Sequence, residues 1–163
     1  MKKQFFISDI DGVLLDSTAR YKTRINHKGL KVINLNHWRK NEHLSAYDKP
    51  IKHNIEKVLQ ARKNGYVIVL ATARVLYNDN CYRLLYSQLG FKPDHIIYRK
   101  PNNSISGTIL KITGLNAIFE AYKQAGYSEF FGVVYEDNLK YLNGIISEFP
   151  FLTGIFVPSK QGY

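Results

Sequence analysis

The sequence predicts an α/β fold: a mainly parallel five-stranded sheet with helices on both faces and a small insert after the first strand. Three observations predict it. Short apolar, β-rich runs alternate with stretches of helical spacing. The runs are nearly continuous in apolar residues, as strands covered on both faces must be. Acids or a hydroxyl follow several of the runs directly, and open α/β sheets place their sites outside the carboxyl ends of the strands.

The first strand is read over Gln4–Ile10. Phe5-Phe6-Ile7 leads into Ser8-Asp9-Ile10-Asp11-Gly12-Val13, two carboxylates on alternate positions and then a glycine. Acids two residues apart share a face if the strand continues. A bend at Ile10 would instead converge them on one small volume. Like charges that close need a cation or a shared proton, and Gly12 lets the main chain approach a ligand. Taken alone, the same residues would also suit a solvated Asp-Gly turn.

Residues 17–50 then break the alternation. They are basic and mixed, and they carry Tyr21, Trp38, Tyr47, His27, His37 and His43. The stretch is longer than an ordinary βα connection. It is expected to form a small cap or flap on a single domain spanning 1–163. Ile51, Ile55, Val58 and Leu59 keep helical spacing, and Gly65 stands where a helix stops. Tyr66–Ala71 reads as the second strand and ends in Thr72-Ala73-Arg74. Leu84, Leu85, Leu89 and Gly90 mark a helix and its end. His95–Arg99 is the third strand. Leu115, Ile118, Phe119 and Tyr122 form the next helical stripe, closed by Gly126, with Lys111 expected just before it. Phe130–Tyr135 is the fourth strand and ends in Glu136-Asp137-Asn138. Leu139, Leu142, Ile145 and Ile146 form a helix, and Thr153–Val157 a final strand.

The 163 residues suit one domain with a real core. No apolar run approaches the roughly 20 residues that span a bilayer, so no membrane association is expected. Met1-Lys2-Lys3 followed by a few apolar residues and then acids does not read as a signal peptide. Cys81 is the only cysteine, which excludes an internal disulfide and points to a reducing cytoplasm. His27, His37, His43 and His53, four of the five histidines, match no zinc-finger spacing. The net charge is +10, and residues 17–64 hold twelve Lys/Arg against three Asp/Glu. A basic surface of that density attracts polyanions.

Acid pair, Thr, Lys and a second acid pair make a set with chemical logic. Carboxylates from two strands can hold Mg²⁺. A free carboxylate can attack phosphorus. A hydroxyl and an ammonium can bind phosphoryl oxygens. On these residues the chain resembles the haloacid dehalogenase (HAD) superfamily of phosphohydrolases. Asp9, Asp11, Gly12 and Val13 match its first motif, Thr72 its second, Lys111 its third (with Lys100 as a competing candidate), and Glu136-Asp137 its fourth. Shorter stretches, Asp48-Lys49-Pro50, Thr72-Ala73-Arg74 and Tyr98-Arg99, resemble phage-type polynucleotide kinase 3′-phosphatase domains. Asn138 departs from the Arg often found after their acid pair.

The resemblance implies a Rossmann-like HAD fold and a Mg²⁺-dependent phosphatase. Asp9 would be the nucleophile and a metal ligand. Asp11 would be general acid and later base, and would bind the metal through its carbonyl. Asp137 would ligate the metal, with Glu136 beside it. Thr72 and Lys111 would hold the transferring group, and Gly12, Ala73, Arg74 and Arg99 would line the substrate. The basic insert favours phosphorylated nucleic-acid ends or nucleotides. Two other readings stay open: a small-molecule phosphatase such as a 5′-nucleotidase, and a non-catalytic nucleic-acid-binding module. No obligate protein partner can be deduced from the sequence.

Overall fold

Nine strands and five α-helices are found within residues 1–159, which the computed structural model describes. In chain order they begin with β1 (Lys2–Ser8), β2 (Leu15–Asp16), β3 (Thr23–Ile25), β4 (Lys31–Ile33), α1 (Leu35–Lys40) and β5 (Lys49–Pro50). Then follow α2 (Lys52–Lys63), β6 (Val67–Val75), α3 (Asp79–Leu89) and β7 (His95–Arg99). The chain continues through α4 (Gly107–Gln124), β8 (Glu129–Glu136), α5 (Leu139–Glu148) and β9 (Leu152–Phe156). Five strands form one parallel sheet in the order β7-β6-β1-β8-β9.

Successive β1 residues face opposite layers, as the strand period demands. Phe5 and Ile7 pack with Leu115 and Phe119 of α4 and Ile145 of α5. Phe6 packs with Ile55 and Val58 of α2 and Leu85 and Leu89 of α3. Each face therefore carries two helices, and all these side chains are buried. Burial of a large apolar side chain stabilises by about 1.5–3 kcal/mol each. The helix starts are set by side-chain caps. Asn78, Ser106 and Asn138 accept the N–H groups of Cys81, Ile109 and Tyr141 at the heads of α3, α4 and α5. Gly90 closes α3 in the left-handed conformation, φ 74°.

Several expected boundaries move. β1 ends at Ser8 rather than Ile10. The chain turns there, and the Ile10 carbonyl accepts the N–H groups of Val13, Leu14 and Leu15. β6 runs on to Val75, with a register break between Ala71 and Val75. α4 begins at Gly107, so Lys111 lies inside its second turn and not before it; the Ser106 cap starts the helix earlier than the apolar stripe indicates.

Between β2 and β5, which pair antiparallel as a two-stranded stem, the chain leaves the sheet. It forms the β3–β4 hairpin, the short helix α1 and 3-10 turns at Thr18–Arg20 and Glu42–Tyr47. Arg24, Lys28, Lys31, Arg39 and Lys40 are exposed on this segment. No helix among the described residues is long and apolar enough to cross a membrane.

Candidate active site

β1, β6 and β8 are neighbours in the sheet, and their carboxyl ends bring Asp9, Thr72 and Asp137 to one cleft. The cleft holds about 690 Å³. The sheet edge and α4 form its floor. The insert (Tyr21, Arg24, Trp38) and the loop from Asn103 to Ser106 form its walls.

Asp9 follows directly on β1, its N–H donating to the Tyr135 carbonyl at 2.9 Å and so continuing the ladder. Ligand oxygens of Asp9, Glu136 and Asp137 lie within 4.8 Å of one another, and all three residues are buried. Lys111 reaches up from α4 between two of them, 3.1 Å from Asp9 Oδ1 and 2.5 Å from Glu136 Oε2. Burial, then the neighbouring Glu136, push the Asp9 carboxyl well above its ordinary range, and Lys111 offsets only part of this. Burial and the Asp9 charge likewise push Asp137 up to about 6. Lys111 is held charged: burial would lower it, but Asp9 and Glu136 outweigh that. Lys100, by contrast, is exposed and away from the cleft lining.

Gly12 is at φ +83°, where a side chain would be strained, and a Cβ there would collide with Asp137 Oδ2. Its role in the structure is thus to admit Asp137, while its N–H donates to the Leu15 carbonyl. Thr72, Ala73 and Arg74 occupy the register break of β6, which turns them out of the ladder towards the cleft. Thr72 Oγ1 accepts the Arg74 N–H at 3.0 Å.

The second acid of the first pair sits in different company. Asp11 Oδ1 takes Arg74 Nη2 at 2.5 Å, the Ser17 hydroxyl at 2.5 Å and Arg20 Nη2 at 3.4 Å. Arg74 and Arg20 both continue to Asp48 Oδ2, at 2.7 and 3.0 Å. Burial alone would raise Asp11, but Arg74 first, then Arg20 and Ser17, hold it at about 2. Asp11 is therefore ionised, and its carboxylate lies outside the acid group around Asp9.

Arg74 is accordingly committed to Asp11 and Asp48 rather than to open space, and it is buried. Arg99 lines the cleft, but its N–H groups donate to the carbonyls of Ala73, Asn103 and Ile105. Arg20 and Ser17 have no signature of their own as site residues in the sequence, and Asp48 stands out there only within Asp48-Lys49-Pro50. They meet Asp11 only through the fold.

No family model matches the sequence, and no curated protein matches it. Among solved structures, the chain is similar to a chain of the Pnkp1/Rnl/Hen1 complex, with TM-score 0.59 and 14% identity over 96% of this chain. A second structure, of the Pnkp1/Rnl/Hen1 RNA repair complex, gives TM-score 0.54 and 15% identity over 96% of this chain. The chain spans only 46% and 43% of those two chains. A haloacid dehalogenase-like family hydrolase from Streptococcus pneumoniae gives TM-score 0.58 and 11% identity, covering 97% of this chain and 88% of that one. At such identities the likeness is one of fold: the chain has the Rossmann-like α/β fold of haloacid dehalogenase-like proteins.

Proposed function

We propose that the protein is a Mg²⁺-dependent phosphomonoester hydrolase that works through an aspartyl-phosphate on Asp9 and acts on the phosphate ends of nucleic acids or on nucleotides. The observation that carries this reading is the buried group of Asp9, Glu136 and Asp137 with Lys111 set among them at the floor of an open cleft. Among the described residues, three carboxylates meet one ammonium there, and burial first, then the neighbouring negative charge, raises Asp9 and Asp137. A hard divalent cation fits both the charge deficit and the all-oxygen donor set. Asp9 and Asp137 would hold it, with Glu136 beside them and the Asp11 carbonyl as a further donor. When bound, Mg²⁺ supplies positive charge for the phosphoryl oxygens and keeps Asp9 ionised.

The chain's own residues do the rest. An Asp9 oxygen attacks phosphorus, the bond to the leaving oxygen breaks, and that oxygen takes a proton from Asp11. Lys111 and the Thr72 hydroxyl donate to the phosphoryl oxygens. A water then attacks phosphorus, the bond to Asp9 breaks, and Asp11 takes the water's proton. Its ionised state between Arg74 and Ser17 suits that second role. For the first, a phosphate ester that binds as its monoanion brings the proton that Asp11 passes to the leaving oxygen, and the proton taken from water restores the balance.

The cleft walls favour a nucleotide. Tyr21, Tyr77 and Tyr141 offer aromatic faces or edges, and Arg24, Arg39 and Lys140 offer cations at its rim. One of the similar structures is that of an RNA repair complex. The test is to present the purified protein with 3′- and 5′-phosphorylated oligonucleotides and mononucleotides, with Mg²⁺ or with EDTA. Mg²⁺-dependent release of phosphate from oligonucleotides, falling steeply with salt, is expected. Preference for mononucleotides would make it a small-molecule phosphatase. Oligonucleotide binding without any turnover would overturn the enzymatic reading.

A further inference from the structure

Trp38 is the only tryptophan of the chain and stands on α1, in the insert. Its ring lies over the guanidinium of Arg20, 3.8 Å from centroid to Cζ. Arg20 has no exposed surface. The edge of its guanidinium is spent on carboxylates: Nε and Nη2 on Asp48 at 3.1 and 3.0 Å, Nη1 on Glu42 at 3.4 Å, and Nη2 also on Asp11 at 3.4 Å. Acids thus fix the planar cation within its plane, and the Trp38 ring covers one of its faces. The bonds to Asp11 and Glu42 are the longest of these, both at 3.4 Å. Arg74 and Ser17 also donate to the same Asp11 oxygen, each at 2.5 Å.

We propose that Trp38 is a positioning residue that holds Arg20 against Asp11, so that the insert carries part of the proton-transfer apparatus. This rests on the phosphatase reading above. Trp38 touches no reacting atom. It acts on the half-reaction in which water attacks the phosphorus on Asp9, the phosphorus–Asp9 bond breaks, and the water's proton passes to Asp11. A displaced Arg20 takes one of three donors from Asp11 Oδ1, leaving Arg74 and Ser17, and shifts the carboxylate relative to that water. A correctly placed general base contributes about 10²–10⁴-fold, so partial misplacement is expected to cost about tenfold.

The experiment uses 4-nitrophenyl phosphate, whose good leaving group makes hydrolysis of the Asp9 phosphate the slow step. Trp38→Leu is expected to lower kcat about tenfold, to leave kcat/KM within about threefold, and to accumulate phosphoenzyme in the steady state. Trp38→Phe, which keeps a ring over Arg20, should recover most of kcat. Unchanged kcat with a raised KM for oligonucleotides would make Trp38 a platform for a base and overturn the proposal. Loss of kcat and of trapped phosphoenzyme in equal measure would reduce it to a fold contact and overturn it equally. The stack itself is read without turnover. Arg20→Lys keeps the charge but loses the planar face, and should change the emission of the single tryptophan. Identical emission overturns the contact. A wild-type protein with no Mg²⁺-dependent turnover overturns the phosphatase reading instead, and the emission measurement still decides whether Arg20 and Trp38 are coupled.

Discussion

Asp9 and Asp11 are two residues apart and chemically alike, yet the fold gives them opposite electrostatics. Asp9 shares its site with two acids and one lysine, and Asp11 shares its own with two arginines. Asp9→Asn should therefore cut turnover by at least about 10³-fold, because an amide is a far poorer nucleophile. It should not lower the melting temperature of metal-free protein, because it removes one of three crowded carboxylates. Steady-state kinetics beside a thermal melt checks both halves. Gly12→Ala should do the reverse, damaging the fold and the site together. The new methyl meets Asp137 Oδ2 and the backbone is left-handed there, so a loss of about 1–3 kcal/mol is expected in urea unfolding. The acids at the strand tips were legible in the sequence because apolar runs point at them. Arg20 and Ser17 were not, because a cation or hydroxyl in an irregular segment has no period to betray it. Their shared partner Asp48 lies 28 residues from Arg20 and 31 from Ser17.

At the scale of elements, the five sheet strands and the helices between them could be read from apolar runs, spacing and glycine stops. What could not be read was the break in β6. Val67 to Ala71 is uniformly apolar, and nothing in Thr72-Ala73-Arg74 says that the strand resumes at Val75. That break is what frees the Thr72 hydroxyl and aims Arg74 at Asp11. The β3–β4 hairpin was equally hidden, since its strands have three residues each and no buried face. The cations of the insert lead to a prediction at this scale. Replacing Lys28, Lys31, Arg39 and Lys40 with Gln should raise KM for oligonucleotides and flatten its salt dependence, by a slope of about 0.7 for each phosphate no longer neutralised. Turnover of 4-nitrophenyl phosphate should stay within about twofold, because none of the four touches Asp9, Asp11 or Lys111. Unaltered salt dependence would show that these cations face only solvent.

For the whole molecule, the acid group is expected to tie stability to pH and, on the proposed function, to a divalent cation. Asp137 is held at about 6 in the fold and Asp9 is raised as well, against about 3.9 for an unfolded Asp. Between roughly pH 4 and 6 the folded chain therefore binds more protons than the unfolded one, and metal-free stability should fall as pH rises through that window. Asp11 acts with the other sign. Held at about 2, it stabilises above pH 4 and loses that contribution only as the pH falls towards 2. Metal-free protein is thus expected to melt higher at pH 5 than at pH 7.5. Added Mg²⁺ should raise the melting temperature by several degrees at pH 7.5 and by less at pH 5. An equal shift at both values would count against a cation at Asp9 and Asp137. The β2–β5 stem has a consequence of another kind. It brings the two ends of the insert side by side, so the segment looks exchangeable, a cassette that could be swapped for one with other substrate preferences. But the cassette also carries Ser17, Arg20 and Asp48, which together hold Asp11 and Arg74 in place. A graft that changes only what the cleft admits would also leave Arg74 facing Asp11 without the buried counter-charge of Asp48, so any replacement has to bring its own cation and acid to the same corner. Exchanging the insert therefore also means rebuilding the surroundings of Asp11.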